Sequence, residues 1–386
     1  MRTQIAIIGA GPAGLFLAHL LRRHGIAATV LERRNRAYVE SRVRAGVLEQ
    51  ITMDVLTVLG LDRRMRTEGL LHDGTNLVSD GEMFRIDMAA KSGRRVMVYG
   101  QQEVTHDLFE AAAQAGMPIA FDAADVALHD IADKPFVTWR EGGVEQRLDC
   151  DFIAGCDGFH GISRDTIPEN ARRSFERIYP FGWLGILADV PPAHHELIYA
   201  NHANGFALAS MRSPTRSRYY VQCGLDEKIE EWPDERFWDE VTLRLGPEAH
   251  VTRGPSFEKS IAPLRSFVTE PMRYGSLFLL GDAAHIVPPT GAKGLNLAVS
   301  DALMLSEALA EFYRGRSSDL DGYSARALAR VWNAERFSWW FTGLTHRFPE
   351  TDAFARKMQV AELALLRQSE AMQTVFAENY VGLPLN

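Results

Sequence analysis

The chain has 386 residues, 46% of them hydrophobic, with a formal net charge of −8, which is long enough for two or three structural units around a substantial core. The acidic balance excludes nucleic acid as a main partner, because phosphate binding shows as a basic excess, and leaves small molecules. Three cysteines, Cys150, Cys156 and Cys223, form no even framework and no C-x-x-C pair, which argues against a disulfide scaffold and a zinc site, so no metal is expected.

Gln4 to Ile8 is an apolar, β-branched run that stops at glycines. Leu15 to Arg23 then carries apolar residues at helical spacing, and Ala28 to Leu31 is a second apolar run ending at Glu32. The order is strand, turn, helix, strand: one βαβ unit. Gly9, Gly11, Pro12 and Gly14 interrupt the only stretch that resembles a signal-peptide core, and Arg22-Arg23-His24 follows it. No targeting or membrane segment is expected, and the cytoplasm is the expected compartment.

Further on, a helix is expected from Val104 to Gly116, capped at Thr105. A hairpin follows from Phe136 to Leu148 across Glu141-Gly142-Gly143, and a buried strand, Phe152 to Cys156, ends at Asp157-Gly158. Between about Arg177 and Ser266 the texture changes to short alternating strands: Gly185 to Asp189, Leu197 to Ala200, Phe206 to Met211 and Tyr219 to Cys223. A helix is expected only at Asp234 to Leu245. Ser276 to Leu280 is again a buried strand, ending at Gly281-Asp282 directly ahead of a helix. Leu295 to Phe312 and most of 320–378 are helical, with Trp332, Phe337, Trp339, Trp340 and Phe341 clustered. The expected class is α/β, α+β overall. A Rossmann-like nucleotide-binding domain (1–176, returning at 268–316) holds an inserted, mostly antiparallel sheet (177–267) and is followed by a helical region (317–386).

Three separated motifs form one constellation. In Gly9-Ala10-Gly11-Pro12-Ala13-Gly14, Gly9 permits a tight turn, Gly11 lets backbone approach a pyrophosphate, and Gly14 allows close helix packing; Glu32 sits where a carboxylate accepts from a ribose. Asp157-Gly158 and Gly281-Asp282 end two further strands. Ligands of open α/β sheets collect outside the carboxyl ends of strands, where all three can meet.

This combination resembles the class A flavoprotein aromatic hydroxylases, which carry G-x-G-x-x-G, Asp-Gly and Gly-Asp motifs. The resemblance runs from Gln4 to Pro384 and is strongest at 42–50, 156–164, 179–187, 199–202, 281–297 and 379–384. It implies FAD as cofactor, bound by Gly9, Gly11, Ala13, Gly14, Glu32, Arg42, Arg44, Val47, Gln102, Asp282, Leu295 and Asn296. Leu295 and Asn296 would lie under the flavin ring at a helix start, where N–H groups favour negative charge, with the Lys293 cation nearby.

The same resemblance implies that Ser210, Arg212 and Tyr220 grip a substrate carboxylate. Tyr199 and Tyr380 would contact its ring hydroxyl, Pro289 would face the reacting edge, and His72 would end a proton relay. Arg212 suits the carboxylate because its fork binds it bidentately. The relay answers a chemical need: oxygen transfer is electrophilic, a phenolate reacts far faster than a phenol, and phenols ionise near pH 10. NADPH is the implied reductant, docked without a second nucleotide fold on Arg33, Tyr38, Arg42, Arg44, Phe159, His160, Arg164 and Arg265. Arg33-Arg34 favour its extra phosphate over NADH. The expected reaction is hydroxylation of 4-hydroxybenzoate beside its hydroxyl, using O2, in a homodimer joined through the aromatic C-terminal helices. Alternatives are a hydroxylase of 4-aminobenzoate or 3-hydroxybenzoate and, from another class, a non-catalytic flavin-fold binding protein.

Overall fold

The computed structural model describes residues 1–42, 46–316 and 318–385. Strands Leu277–Leu279, Phe152–Gly155, Ile5–Ile8, Ala28–Leu31 and Ile119–Ala120 lie side by side and parallel, with Arg273–Tyr274 added antiparallel at one edge. Every residue of Ile5–Ile8 and Phe152–Gly155 is buried. A parallel sheet covered on both faces needs unbroken apolar runs, which is the pattern these segments show. Helix Pro12–Arg23 packs on helix Gly294–Tyr313. The approach of the first helix to its strand depends on Gly14, since a Cβ there would lie 2.0 Å from the Gly9 carbonyl oxygen.

The second sheet has eight strands in the order His285–Ile286, Ser256–Glu270, Arg173–Ala188, Arg216–Cys223, Ala207–Ser213, Ile198–Asn201, Gly74–Ser79, Glu82–Asp87. It is antiparallel except where Ile198–Asn201 runs parallel to Gly74–Ser79. The sheet therefore draws strands from 74–87 and 285–286 as well as from the segment between them, so the chain passes repeatedly between it and the nucleotide-binding sheet.

Two local expectations are corrected. The helix expected to start at a Thr105 cap starts at Gln101, and the Thr105 hydroxyl instead donates to the Gln101 carbonyl one turn back. Gly281-Asp282 does not lead straight into a helix. A 3-10 turn (Gly281–Ala283), the strand His285–Ile286 and a second turn (Pro289–Gly291) intervene before Gly294–Tyr313. Both turns are three-residue, glycine-bearing segments, the second also proline-bearing, whose short range leaves no periodicity to read.

The hairpin joins Phe136–Glu141 to Val144–Asp149, with Gly142 and Gly143 at φ 57° and 83°, the pair of left-handed residues a two-residue turn requires. The C-terminal region holds helices Ser318–Asp321, Tyr323–Thr345, Ala353–Gln368 and Glu370–Val381. Phe337 and Phe341 are buried there, while Trp332 and Trp339 are exposed. Among the described residues no helix is long and apolar enough to cross a membrane, and no group of three or more His, Cys, Asp or Glu is placed to hold a metal ion.

Candidate active site

A cavity of about 780 Å³ runs between the two sheets, from Gly11, Pro12 and Ala13 at one end to Ser210, Arg212 and Tyr220 at the other. Gly281, Asp282, Pro289, Lys293 and Leu295 contribute to its lining between these ends of the chain's motif set. The three motifs that the sequence separates thus open onto one space.

At the glycine loop, a Cβ on Gly11 would meet nothing within 4 Å, whereas one on Gly9 would lie 2.4 Å from the Cys156 carbonyl oxygen. Gly9 is therefore required by the fold and Gly11 leaves room for a ligand against the start of helix Pro12–Arg23, where free N–H groups suit phosphates. Glu32 is buried and accepts from the Ala10 and Arg34 amides at 2.8 and 2.9 Å, which fixes its carboxylate at the end of its strand. Arg42 and Val47 line the cavity; Arg44 lies outside the described residues. From the next helix it is Gln101 that lines the cavity, not the expected Gln102, although Gln102 Oε1 is buried without a hydrogen-bond partner.

Leu295 lines the cavity at the start of its helix, but the neighbouring Asn296 side chain is fully committed inside the protein. Its Oδ1 accepts from the Glu49 amide and the Thr52 hydroxyl, and its Nδ2 donates to the Val47 and Ala292 carbonyls, all within 2.9 Å. Any contact Asn296 makes with a ligand is left to its backbone. Lys293 is 3% exposed and donates to Glu49 Oε1 and to the carbonyls of Asn379 and Tyr380. Burial pulls its ammonium below the ordinary lysine range while Glu49 opposes that pull. It is a buried, paired cation that ties the C-terminal segment to the cavity floor.

At the opposite end, Arg212 donates to the Met211 carbonyl at 3.2 Å, and its Nε is buried with no partner. Burial lowers its guanidinium from the ordinary value. A half-buried guanidinium that lines a cavity and has one buried nitrogen without a partner suits an anion. Ser210 donates to the Arg218 carbonyl, keeping its oxygen lone pairs available. Tyr220 packs against Trp183 at 5.0 Å, and Trp183, Val98, Leu197 and Leu208 complete an apolar wall. Trp183 was not singled out from sequence, although its position in the strand Arg173–Ala188 beside Tyr220's strand is the signal that could have found it.

Tyr199 lines the cavity and its hydroxyl lies 2.7 Å from that of Tyr380, which sits behind it. Pro289 lines the cavity, and its carbonyl accepts from the Ala292 amide, leaving a second lone pair. His72 is 0% exposed, and neither ring nitrogen has a partner. Burial pushes its pKa down to about 4, so at neutral pH the imidazole is uncharged.

Of the residues expected to dock a reductant, Phe159, Arg164 and Arg265 meet. Both guanidinium groups lie over the Phe159 ring, at 4.8 and 4.5 Å, and Arg164 also donates to the Phe159 carbonyl. His160 stands edge-on to the same ring at 5.0 Å. Arg33 and Tyr38 are exposed on a separate segment, with Arg42 over the Tyr38 ring at 5.5 Å. Arg42 lines the cavity, as does Gly158, the residue before Phe159 in the chain.

A family model described as FAD binding domain matches residues 2–338. The chain belongs to the FAD-dependent flavoprotein hydroxylases. The p-hydroxybenzoate hydroxylase of Acinetobacter baylyi is 54% identical over all of this chain and 96% of its own length. The kynurenine 3-monooxygenase of Salinispora tropica is 24% identical over 84% of this chain and 76% of its own. Among solved structures, the p-nitrophenol 4-monooxygenase of Pseudomonas putida superposes with a TM-score of 0.83, covering 99% of both chains at 18% identity. This flavoprotein hydroxylase is an FAD-dependent monooxygenase, and its cavity fits the cofactor: an open glycine cradle at one end and a helix start beside Leu295 further along.

Proposed function

We propose that the enzyme hydroxylates 4-hydroxybenzoate at the ring position beside its hydroxyl, giving 3,4-dihydroxybenzoate, with NADPH as reductant and O2 as oxidant. The observation that carries this reading is the pairing of an unsatisfied Arg212 with the Tyr199–Tyr380 hydroxyl pair along one strand register. Tyr199 stands opposite Leu208, and Arg212 lies four residues further along that strand, roughly 13 Å at the rise of a strand. Such a spacing suits side chains reaching inward to the two ends of one ring that carries a carboxylate and, para to it, a hydroxyl.

FAD, reduced by the nicotinamide cofactor, supplies activation of O2 for transfer of one oxygen atom to the ring. The glycine loop, Glu32, Arg42, Gln101, Asp282 and the Leu295 helix start would hold it. The protein's own residues do the rest. Arg212 neutralises the substrate carboxylate, Ser210 and Tyr220 orient it, and the wall of Trp183, Leu197 and Leu208 excludes water from the ring. The substrate hydroxyl donates to Tyr199, whose hydroxyl hands a proton on to Tyr380. His72, uncharged at neutral pH, is the outlet of this relay and passes the proton on without keeping it, so that the ring carries phenolate character when oxygen arrives. The Pro289 carbonyl faces the edge that gains the new hydroxyl.

NADPH docks between the Phe159, Arg164 and Arg265 cluster and the exposed Arg33 and Tyr38, the arginines favouring its additional phosphate over NADH. The enzyme works in the cytoplasm as a homodimer joined through the C-terminal helices, where exposed Trp332 and Trp339 lie. The deciding experiment follows NADPH oxidation by the yellow protein with and without 4-hydroxybenzoate and identifies the product. Stimulated oxidation with 3,4-dihydroxybenzoate formed in step is expected. An unstimulated rate, or stimulation only by 4-aminobenzoate or 3-hydroxybenzoate, would move the assignment to another acid.

A further inference from the structure

His285 closes the Gly281-Asp282-Ala283-Ala284-His285 motif, yet it does not line the cavity and has no place in the reaction. It is 1% exposed, and its Nε2 lies 2.7 Å from Asp301 Oδ2. That same oxygen accepts the Gly281 amide at 2.9 Å. Asp301 belongs to helix Gly294–Tyr313, whose first residues line the cavity beside Leu295. Asp282, between the two clamped ends, also lines the cavity.

We propose that Asp301 and His285 are positioning residues for FAD: one buried carboxylate oxygen fastens both ends of the Gly281–His285 turn to the helix that approaches the flavin, and so fixes where Asp282 stands. The inference rests on the reading of this cavity as the FAD site.

Three features of the turn show why it needs a clamp. Gly281 has φ +58°, a left-handed conformation with no intrinsic preference to persist. The turn's internal bond, from the Ala284 amide to the Gly281 carbonyl, spans only the 3-10 segment. Its far end is held to strand Ser256–Glu270 by the pairs Val268 with His285 and Phe267 with Ile286 and by one bond from the Thr269 amide to the Ala284 carbonyl. Without the carboxylate, the buried Gly281 amide would lose its partner and the turn would lose its polar link to the helix.

The chemistry of the clamp is directional. Asp301 Oδ2 can only accept, so His285 must carry a proton on Nε2. Burial opposes a charge on the imidazole, but Asp301, with added pull from Asp282 and Glu335, holds it above the ordinary histidine range. Asp301 Oδ1 and His285 Nδ1 are both buried without partners.

The test compares Asp301→Ala, Asp301→Asn, His285→Leu and His285→Gln holoenzymes. FAD dissociation constants are read from flavin fluorescence, and folding from circular dichroism and the thermal midpoint of the flavin-free protein. Asp301→Ala and His285→Leu are expected to weaken FAD binding by about tenfold or more, the scale of a lost charge-assisted hydrogen bond. His285→Gln, whose amide N–H can reach the same oxygen, and Asp301→Asn, which keeps an acceptor, are expected to recover part of that affinity. Folded Asp301→Ala protein with wild-type affinity would overturn the proposal. Should Asp301→Ala fail to fold, equal FAD affinity in His285→Leu and wild type would overturn it equally. Wild-type protein that does not bind FAD would instead remove the cofactor reading on which the proposal stands.

Discussion

The hydroxyls of Tyr199 and Tyr380 meet at 2.7 Å with neither residue more than 2% exposed. Burial raises both phenols well above their ordinary range, so neither ionises at working pH and each can only pass a proton while receiving another. Tyr380→Phe breaks that exchange and leaves the Tyr199 hydroxyl without its buried partner. Turnover with 4-hydroxybenzoate should fall by at least about tenfold, within the range of removed proton-transfer groups, while the FAD spectrum stays as in the wild type. Turnover within twofold of wild type would show that Tyr380 is a packing residue.

How far the sequence reveals this arrangement depends on the range of the interactions. The opening βαβ unit and helix Asp234–Leu245 are legible because period and breakers are local. Strand Gly74–Ser79 is not, because its place is set by pairing with Ile198–Asn201, far along the chain. The motif glycines are legible for the same local reason, while the roles of Lys293 and Asn296 are decided by Glu49, Thr52 and Tyr380, brought from distant segments. Gln101 and Gln102 adjoin in sequence, and only the helix's rotation decides that the first lines the cavity. His72 reads as a surface histidine on average composition, and only the packing of strand Leu70–His72 against Val96–Val98 buries it.

Arg212 supports a prediction with two signs. Its Nε is buried with no partner and its Nη1 donates to the Met211 carbonyl, so Arg212→Met should leave thermal stability unchanged or raise it. The same change should raise the KM for 4-hydroxybenzoate by roughly thirtyfold or more, the scale of a lost buried charge pair. Arg212→Lys, lacking the bidentate fork, should recover little of that loss. Steady-state kinetics with calorimetry separates the outcomes: a destabilised Arg212→Met with unaltered KM would make this arginine structural.

His72 links stability to acid. Its pKa is about 4 in the folded protein against an ordinary 6.5. Between those values the unfolded chain takes up a proton that the folded protein refuses, so stability falls as pH drops through that window, by about 3 kcal/mol at most. Buried His346, pushed down to about 3, adds to the same trend. His72→Asn should make the denaturant midpoint less steep in pH between 6.5 and 4. An unchanged slope would place the acid sensitivity elsewhere.

Glu335 carries the opposite sign. Its carboxyl is 5% exposed, accepts from the Ser266 hydroxyl at 2.9 Å, and has Oε1 buried without a partner. Burial raises its pKa from 4.5 to about 7, with Ser266 and His285 opposing. Below pH 4.5 both folded and unfolded chains hold this proton, and no penalty exists. As pH rises from 4.5 to 7 the unfolded chain releases it while the folded protein keeps it, so stability is progressively lost, by about 3 kcal/mol at most. Above pH 7 the loss is complete and flat. Glu335→Gln removes the titration while keeping an oxygen for Ser266, and its new N–H stands where Oε1 had no partner. The variant should be more stable than wild type at pH 8 and match it near pH 4.5, measured as the difference in urea midpoint at the two pH values. A midpoint difference that is the same at both pH values would mean that Glu335 is already ionised in the folded protein, held so by His285.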